Sequence, residues 1–376
     1  MASMFDYLKW RGDLTFTQDR PNQVDALIFS SLAYLRFGER VSRTPSGPIS
    51  LRDAAAEFFS LPDIDQRYRV KTDARLLEAA VQTARFGNTR ILFYRDQFIP
   101  QEETQFAAMT FLLDDGSAFL AFRGTDDSLT GWKEDFNMSF RDEVPAQRLA
   151  LEYTQEFCEA HLLPLRLGGH SKGGNLAVYA GAKCGPLIQK RILTVYNNDG
   201  PGFRENMIQD FGYLAIVPRI HTYVPQSSVI GMLLEHEEPY TIVRSRSVGI
   251  LQHDAYSWEL MGRQFLPVEE LTADSRFLDK TIKTWLADMT LEERNEVVDA
   301  VFGLLGTGDV EFARDIIQPK NIRNYLRALN SDAKIRQLLS GELAALLEAA
   351  RKTQIQLRSA AEEPEHDIQR ISEAES

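Results

Sequence analysis

The stretch Leu167–Leu176, LGGHSKGGNL, restricts the fold of this chain more than any other. An apolar run, Leu165–Gly169, precedes it, and a helical pattern, Lys172–Lys183, follows. Gly169-His170-Ser171-Lys172-Gly173 therefore matches G-x-S-x-G in the strand–turn–helix context that gives the pattern meaning. A strand that turns straight into a helix forces the serine into a strained backbone conformation and lifts its hydroxyl above the sheet. The flanking glycines are needed because a Cβ at either place would collide with the neighbouring strand or helix. The new helix aims its first N–H groups at a developing oxyanion. A phosphate-binding loop fails on spacing: counted from Gly168, lysine is required at 174, where Gly174 stands.

The surrounding pattern is that of an α/β chain. A helix is expected over Asn22–Phe37, with Asn22 as its cap, and another over Asp73–Phe86. Thr89–Asp96 alternates as a strand, and two apolar runs flank Asp114-Asp115-Gly116, a strong hairpin signal. Beyond the hairpin, helices at 146–162 and 172–183 alternate with strands at 165–169, 191–198, 219–224 and 240–245, which implies a mainly parallel sheet covered on both faces. After Pro267 the strand signal stops. An apolar stripe through Leu278, Ile282, Trp285, Leu286 and Met289 opens a helical region, and Thr290-Leu291-Glu292-Glu293 is a capping box. The expected organisation is an α/β domain over 1–265, an all-helical C-terminal region over 266–352 and an acidic, disordered tail over 353–376.

The formal charge of −12 argues against nucleic acid as a partner. The two cysteines, Cys158 and Cys184, fit neither a zinc site nor a disulfide framework. The amino terminus lacks the apolar core of a secretory signal, and no apolar run reaches membrane-spanning length. A cytoplasmic setting without stable membrane insertion is expected; the oligomeric state is left open.

A second element sits at the end of the hairpin: Phe122-Arg123-Gly124-Thr125, followed by Gly131-Trp132-Lys133-Glu134-Asp135. Acyl transfer needs two donors for the oxyanion, one of them the N–H after the nucleophile and the other from a loop ending an earlier strand. Lys172 and Thr125 are the candidates, Thr125 through its N–H and potentially its hydroxyl. The Lys172 side chain is expected near the site mouth, either attracting an anionic substrate or snorkelling to solvent. The segment Asp126–Gln147 reads as loop-rich, and Phe136, Met138 and Phe140 there suit either a lid or ordinary core contacts.

The runs FRGTDD…GWKEDF, GGHSKGGNLA and VYNNDGPGF resemble the fungal-type (class 3) lipase branch of the α/β-hydrolases. The chain is more closely similar to an uncharacterised bacterial lipase-like family that carries YLKWRGDLTF, GWKEDFNMSF, GHSKGGNLAVYA, NDGPGF and a QHD…SW segment, over roughly residues 5 to 265. The resemblance implies an α/β-hydrolase fold and leaves the substrate open.

Chain order in these hydrolases is serine, acid, histidine. Of the histidines downstream of Ser171, His221 falls within a strand and reads as a packed core residue, and His236 lies in an acidic, surface-like stretch. His253 follows the last strand, where a general base belongs, and the resembled family draws its histidine from this QHD…SW segment. The acid is harder to place. Where fungal-type lipases carry an aspartate, this chain has Ser227 and Ser228. Asp199, ending the preceding strand, is the first alternative; Glu235, or no acid at all, are the others. The reading is a serine hydrolase acting on a small-molecule ester with an acyl or apolar group, using Ser171, His253 and Asp199 and no cofactor. A thioesterase or amidase on the same site, or a non-catalytic binding protein that kept the scaffold, are its rivals.

Overall fold

Strand order in the central sheet follows chain order: β1 (Ile49–Ser50), β2 (Arg90–Ile99), β3 (Thr104–Leu112), β4 (Ala118–Phe122), β5 (Leu165–His170), β6 (Ile192–Asn198), β7 (Ile220–Pro225) and β8 (Tyr240–Val243). These elements come from a computed structural model that describes residues 2–126, 128–307 and 318–374. Strands β1 to β4 pair antiparallel, and β4 to β8 pair parallel. The switch follows from the connections. β3 and β4 are joined by the Asp114-Asp115-Gly116 turn, where Gly116 takes φ +83° and Leu113 N–H bonds Ser117 O. Longer crossovers link the later strands, so each can return in the same direction.

Side chains alternate across the sheet and create two cores. Phe119 and Ala121 of β4 pack with α1 (Gln23–Leu32), including Leu27 and Phe29. Leu120 and Phe122 face the opposite side, against Tyr153 of α3 (Pro145–Ala160) and Leu176 of α4 (Lys172–Lys183). Between β4 and α3 lies α2 (Leu129–Asn137), capped by the Ser128 hydroxyl. The result is an α/β fold with helices on both faces of a mostly parallel sheet.

Asn22 caps α1 through a reciprocal capping box with Asp25. The helix expected over Asp73–Phe86 is instead two, Lys71–Val81 and Ala84–Gly87, with Thr83 capping the second. This break turns Arg85 inward. Its guanidinium meets Asp25 at 2.5 Å, with both side chains fully buried, and Tyr7 donates to the same carboxylate at 2.9 Å. Arg85→Met leaves the Asp25 charge buried without its cation and is expected to lower stability by about 3–5 kcal/mol, read by urea denaturation. Strand β1, two residues long, gave no periodic signal. The segment read as loop-rich contains α2, and there Met138 and Phe140 are buried while Phe136 is exposed.

The chain divides into two compact units, Met1–Leu271 and the described residues from Thr272 on. The second holds α5 (Ala273–Ala287), α6 (Leu291–Leu305), α7 (Pro319–Ser331) and α8 (Ala333–Ala374). Thr290 and Glu293 form the capping box of α6, and Trp285 of α5 donates to Glu342 of α8 at 3.2 Å. The backbone of the acidic tail continues α8 to Ala374, where composition predicts disorder. Ala, Glu, Gln and Arg are strong helix formers, and extending a helix already running needs little apolar burial. No described helix is long and apolar enough to cross a membrane.

Candidate active site

Parallel pairing brings the carboxyl ends of β4, β5, β6 and β7 to one edge of the sheet, where Phe122 pairs with Gly169, His170 with Asn198, and Asn198 with Tyr223. Loops leaving this edge of an α/β sheet are its usual ligand-facing surface. Thr125, Ser171, Asp199 and Ser228 all lie just beyond it.

Ser171 takes φ +60° and ψ −135°, a conformation costly for a residue with a Cβ and held only where its surroundings enforce it. Here the constraint is close backbone approach. A Cβ on Gly169 would come within 2.1 Å of the Gly173 carbonyl carbon, and one on Gly173 within 2.1 Å of Phe122 O. The Ser171 N–H is used by Asn198 O at 2.9 Å, and its side chain does not cap the helix it opens. It remains 8% exposed.

Asp199 follows β6 directly, at φ +54°, and is fully buried. Its Oδ2 lies 2.6 Å from Nδ1 of His253. Its Oδ1 accepts a 2.5 Å hydrogen bond from the Ser228 hydroxyl, whose oxygen in turn accepts from the Gly231 N–H at 3.1 Å. Because that N–H occupies the acceptor side of Ser228, its single proton is directed at Asp199. The position that lacks a carboxylate in this chain thus carries the donor that holds the carboxylate of the strand before. With Asp199 accepting from Nδ1–H, the His253 Nε2 is left unprotonated in the neutral ring.

His253 ends a short turn, Gly249–His253, and its side chain is 25% exposed. Its carbonyl accepts from Nε2 of His170 at 2.8 Å, and the two imidazoles lie 4.7 Å apart. A carbonyl can only accept, so His170 carries its proton on Nε2, and Nδ1 accepts from the Tyr34 hydroxyl at 3.1 Å. Burial holds His170 well below the usual histidine range, which keeps it neutral. Tyr34 Oη also crowds Gly124: a Cβ there would come within 2.2 Å of it, 2.4 Å of His170 O and 3.0 Å of Ser171 Cβ.

The other candidates lie apart from this constellation or are turned away from it. His236 uses both ring nitrogens, on Glu238 at 3.1 Å and Gly231 O at 2.8 Å. His221, read as a core residue, is exposed on β7 and stacks on Tyr196; the strand's alternation turns that position outward. Glu235 is exposed, its backbone paired with Phe203.

Around Thr125 the arrangement is tighter than sequence reasoning foresees. Its hydroxyl donates to Asp135 Oδ2 at 2.5 Å, which leaves the backbone N–H as its remaining donor. The Lys172 side chain neither snorkels nor faces the site mouth. It is 1% exposed and its Nζ lies 2.9 Å from Glu134 Oε2. Glu134, Asp135, Ser228, His170 and Tyr34 had no assigned role. Only the acidic pair in the GWKED run gave a signal, since a lysine buried at the start of α4 needs a buried acid opposite.

A family model described as Mbeg1-like matches residues 80–303, more than half of the chain and the whole of this constellation except Tyr34. The chain belongs to the Mbeg1-like family. Among solved structures it is similar to the native Rhizomucor miehei lipase propeptide complex, at 12% identity and a TM-score of 0.32, over 50% of this chain and 72% of that one. No curated protein matches it.

Proposed function

We propose that this Mbeg1-like chain is a lipase-like serine hydrolase of the α/β-hydrolase fold, cleaving carboxylic esters through an acyl-enzyme on Ser171, with residues 1–265 as the catalytic domain. The observation that carries the reading is the 2.6 Å contact between His253 and Asp199, formed at the sheet edge from which Ser171 rises at φ +60°. A strained serine, a buried carboxylate and a histidine of fixed tautomer are the groups acyl transfer requires.

In this reading the Ser171 oxygen attacks the ester carbonyl as His253 Nε2 takes its proton. Asp199 stabilises the imidazolium, and the N–H groups of Thr125 and Lys172 receive the oxyanion. The tetrahedral intermediate collapses, the C–O bond to the alcohol breaks, and His253 returns the proton to the departing oxygen. Water then attacks the acyl-enzyme, gives its proton to His253, and releases the acid as that proton goes back to Ser171. An acyl-enzyme predicts burst kinetics when deacylation is the slower step. Stopped-flow hydrolysis of p-nitrophenyl acetate is expected to release about one nitrophenol per chain before the steady state. A nitrophenol burst with no acyl adduct on Ser171 in samples quenched during it would sink the covalent route.

A further inference from the structure

Lys172 is the residue whose backbone N–H is assigned to the oxyanion, and its side chain runs inward. Nζ donates to Glu134 Oε2 at 2.9 Å, to the Gln105 carbonyl at 3.0 Å and to the Gln105 side-chain oxygen at 3.3 Å. An ammonium has three protons, so all are engaged. Asp135 Oδ1 lies 3.7 Å from the same nitrogen, too far for a hydrogen bond but close enough for charge attraction.

Each acid ties the ammonium to something further. Glu134 is fully buried. Its Oε2 accepts the Gln105 N–H at 3.2 Å and its Oε1 the Ala146 N–H at 2.8 Å, which fastens α2 to β3 and to the start of α3. Asp135 Oδ2 takes the Thr125 hydroxyl. A continuous path therefore runs from the first residue of α4, through its ammonium and the acids of α2, to Thr125 in the loop after β4. Those are the two segments that must present their N–H groups to one oxygen atom.

We infer that Lys172 is a positioning residue, whose buried ammonium holds the Glu134–Asp135 segment against α4 and so fixes the spacing of the two oxyanion donors. The inference rests on the reading of Ser171 as the nucleophile. Its physical basis is that oxyanion donors act only when pre-set, and misplacement of about 1 Å can cost about 100-fold. Charge balance adds a second effect. One buried ammonium faces two adjacent carboxylates, Glu134 buried and Asp135 partly accessible. Burial already pushes the Asp135 carboxyl up to about 6, with Lys172 and the Thr125 hydroxyl opposing and Glu134 reinforcing the shift. Its Oδ1 is closed off from solvent without a hydrogen-bond partner, although 31% of the side chain stays accessible, which tempers the shift. The charged or titratable groups facing it are Lys172, Glu134, His253 and Tyr34. Loss of the ammonium makes the potential at Asp135 more negative, so its carboxyl takes up a proton, and loosens its hold on the Thr125 hydroxyl, at higher pH.

The test is steady-state hydrolysis of p-nitrophenyl butyrate across pH 5 to 9 by the full chain, its Lys172→Met variant and the charge-balanced double variant Lys172→Met/Glu134→Gln, with folding checked by circular dichroism. For Lys172→Met, kcat is expected to fall about 10- to 100-fold with KM within about two-fold, since the oxyanion contacts form only in the transition state. The acid limb of its pH profile is expected to move up by about half a unit or more. In the double variant the limb returns to its wild-type position while kcat stays low, because the tether is still missing. A lysine that merely stabilised the fold would leave kcat at its wild-type value in the folded variant, whatever the limb does. Wild-type kcat in a folded Lys172→Met overturns the inference; if that variant does not fold, wild-type kcat in the folded double variant does so. A wild-type chain that neither hydrolyses the ester nor reacts with a fluorophosphonate overturns the Ser171 reading itself, and the inference with it.

Discussion

Ser171→Ala is expected to lower kcat/KM for p-nitrophenyl butyrate by about 10⁶-fold, the scale set by removal of the nucleophile from a serine–histidine unit. Folding should be unchanged within about 0.5 kcal/mol. The substitution keeps the Cβ and removes only an oxygen that does not cap α4. The backbone bond from residue 171 to Asn198 O is likewise untouched. Steady-state rates paired with thermal melts check both halves. A fall of only ten-fold in a folded variant would place the hydrolysis on another group.

Asp199→Asn is expected to cost about 10⁴-fold in kcat/KM while the chain stays folded. The native carboxylate accepts at both oxygens, from His253 at 2.6 Å and from Ser228 at 2.5 Å. An amide has one oxygen for these two donors, and its NH₂ must face one of them. Turned toward His253, it favours the ring with Nδ1 bare and the proton on Nε2, which cannot accept the serine proton. Asparagine tolerates the +54° φ of this position about as well as aspartate does, so a loss of rate is not a loss of fold. Glu235→Gln, at an exposed side chain, should stay within about two-fold of wild type by the ordinary tolerance of surface positions. The reverse ranking of these two variants would transfer the acid to Glu235.

Local features of this molecule were legible in its sequence, and its long-range polar contacts were not. The turn at Asp114-Asp115-Gly116, the cap at Asn22 and the capping box at Thr290 each depend on residues within a few positions, and each forms as expected. The strand–turn–helix around Ser171 is of the same kind, because tight backbone approach leaves glycine as its trace. β1 is too short to carry a period, and the break at Thr83 is hidden in a sequence that continues helically on either side.

Lys172 was misplaced for a different reason. Its partner Glu134 lies 38 positions upstream, and nothing near residue 172 says whether a long cationic side chain will find a buried acid or reach water. The carboxylate that meets His253 followed the same logic. Sequence comparison locates a gap at Ser227-Ser228, but only the fold shows that Ser228 donates to Asp199 and that His253 meets the same carboxylate. His170 hid its partners too, since a histidine just before Ser171 gives no hint that it will bond the carbonyl of residue 253.

Activation of Ser171 is tested most directly by covalent labelling with a fluorophosphonate, which reacts quickly only with an activated serine, on wild type and His253→Ala, read by intact mass and peptide mapping. An activated nucleophile at Ser171 predicts a single adduct on the wild-type chain, mapped to that serine, and none on His253→Ala under the same conditions. No adduct on a well-folded wild type, or an adduct on a serine other than Ser171, would contradict it.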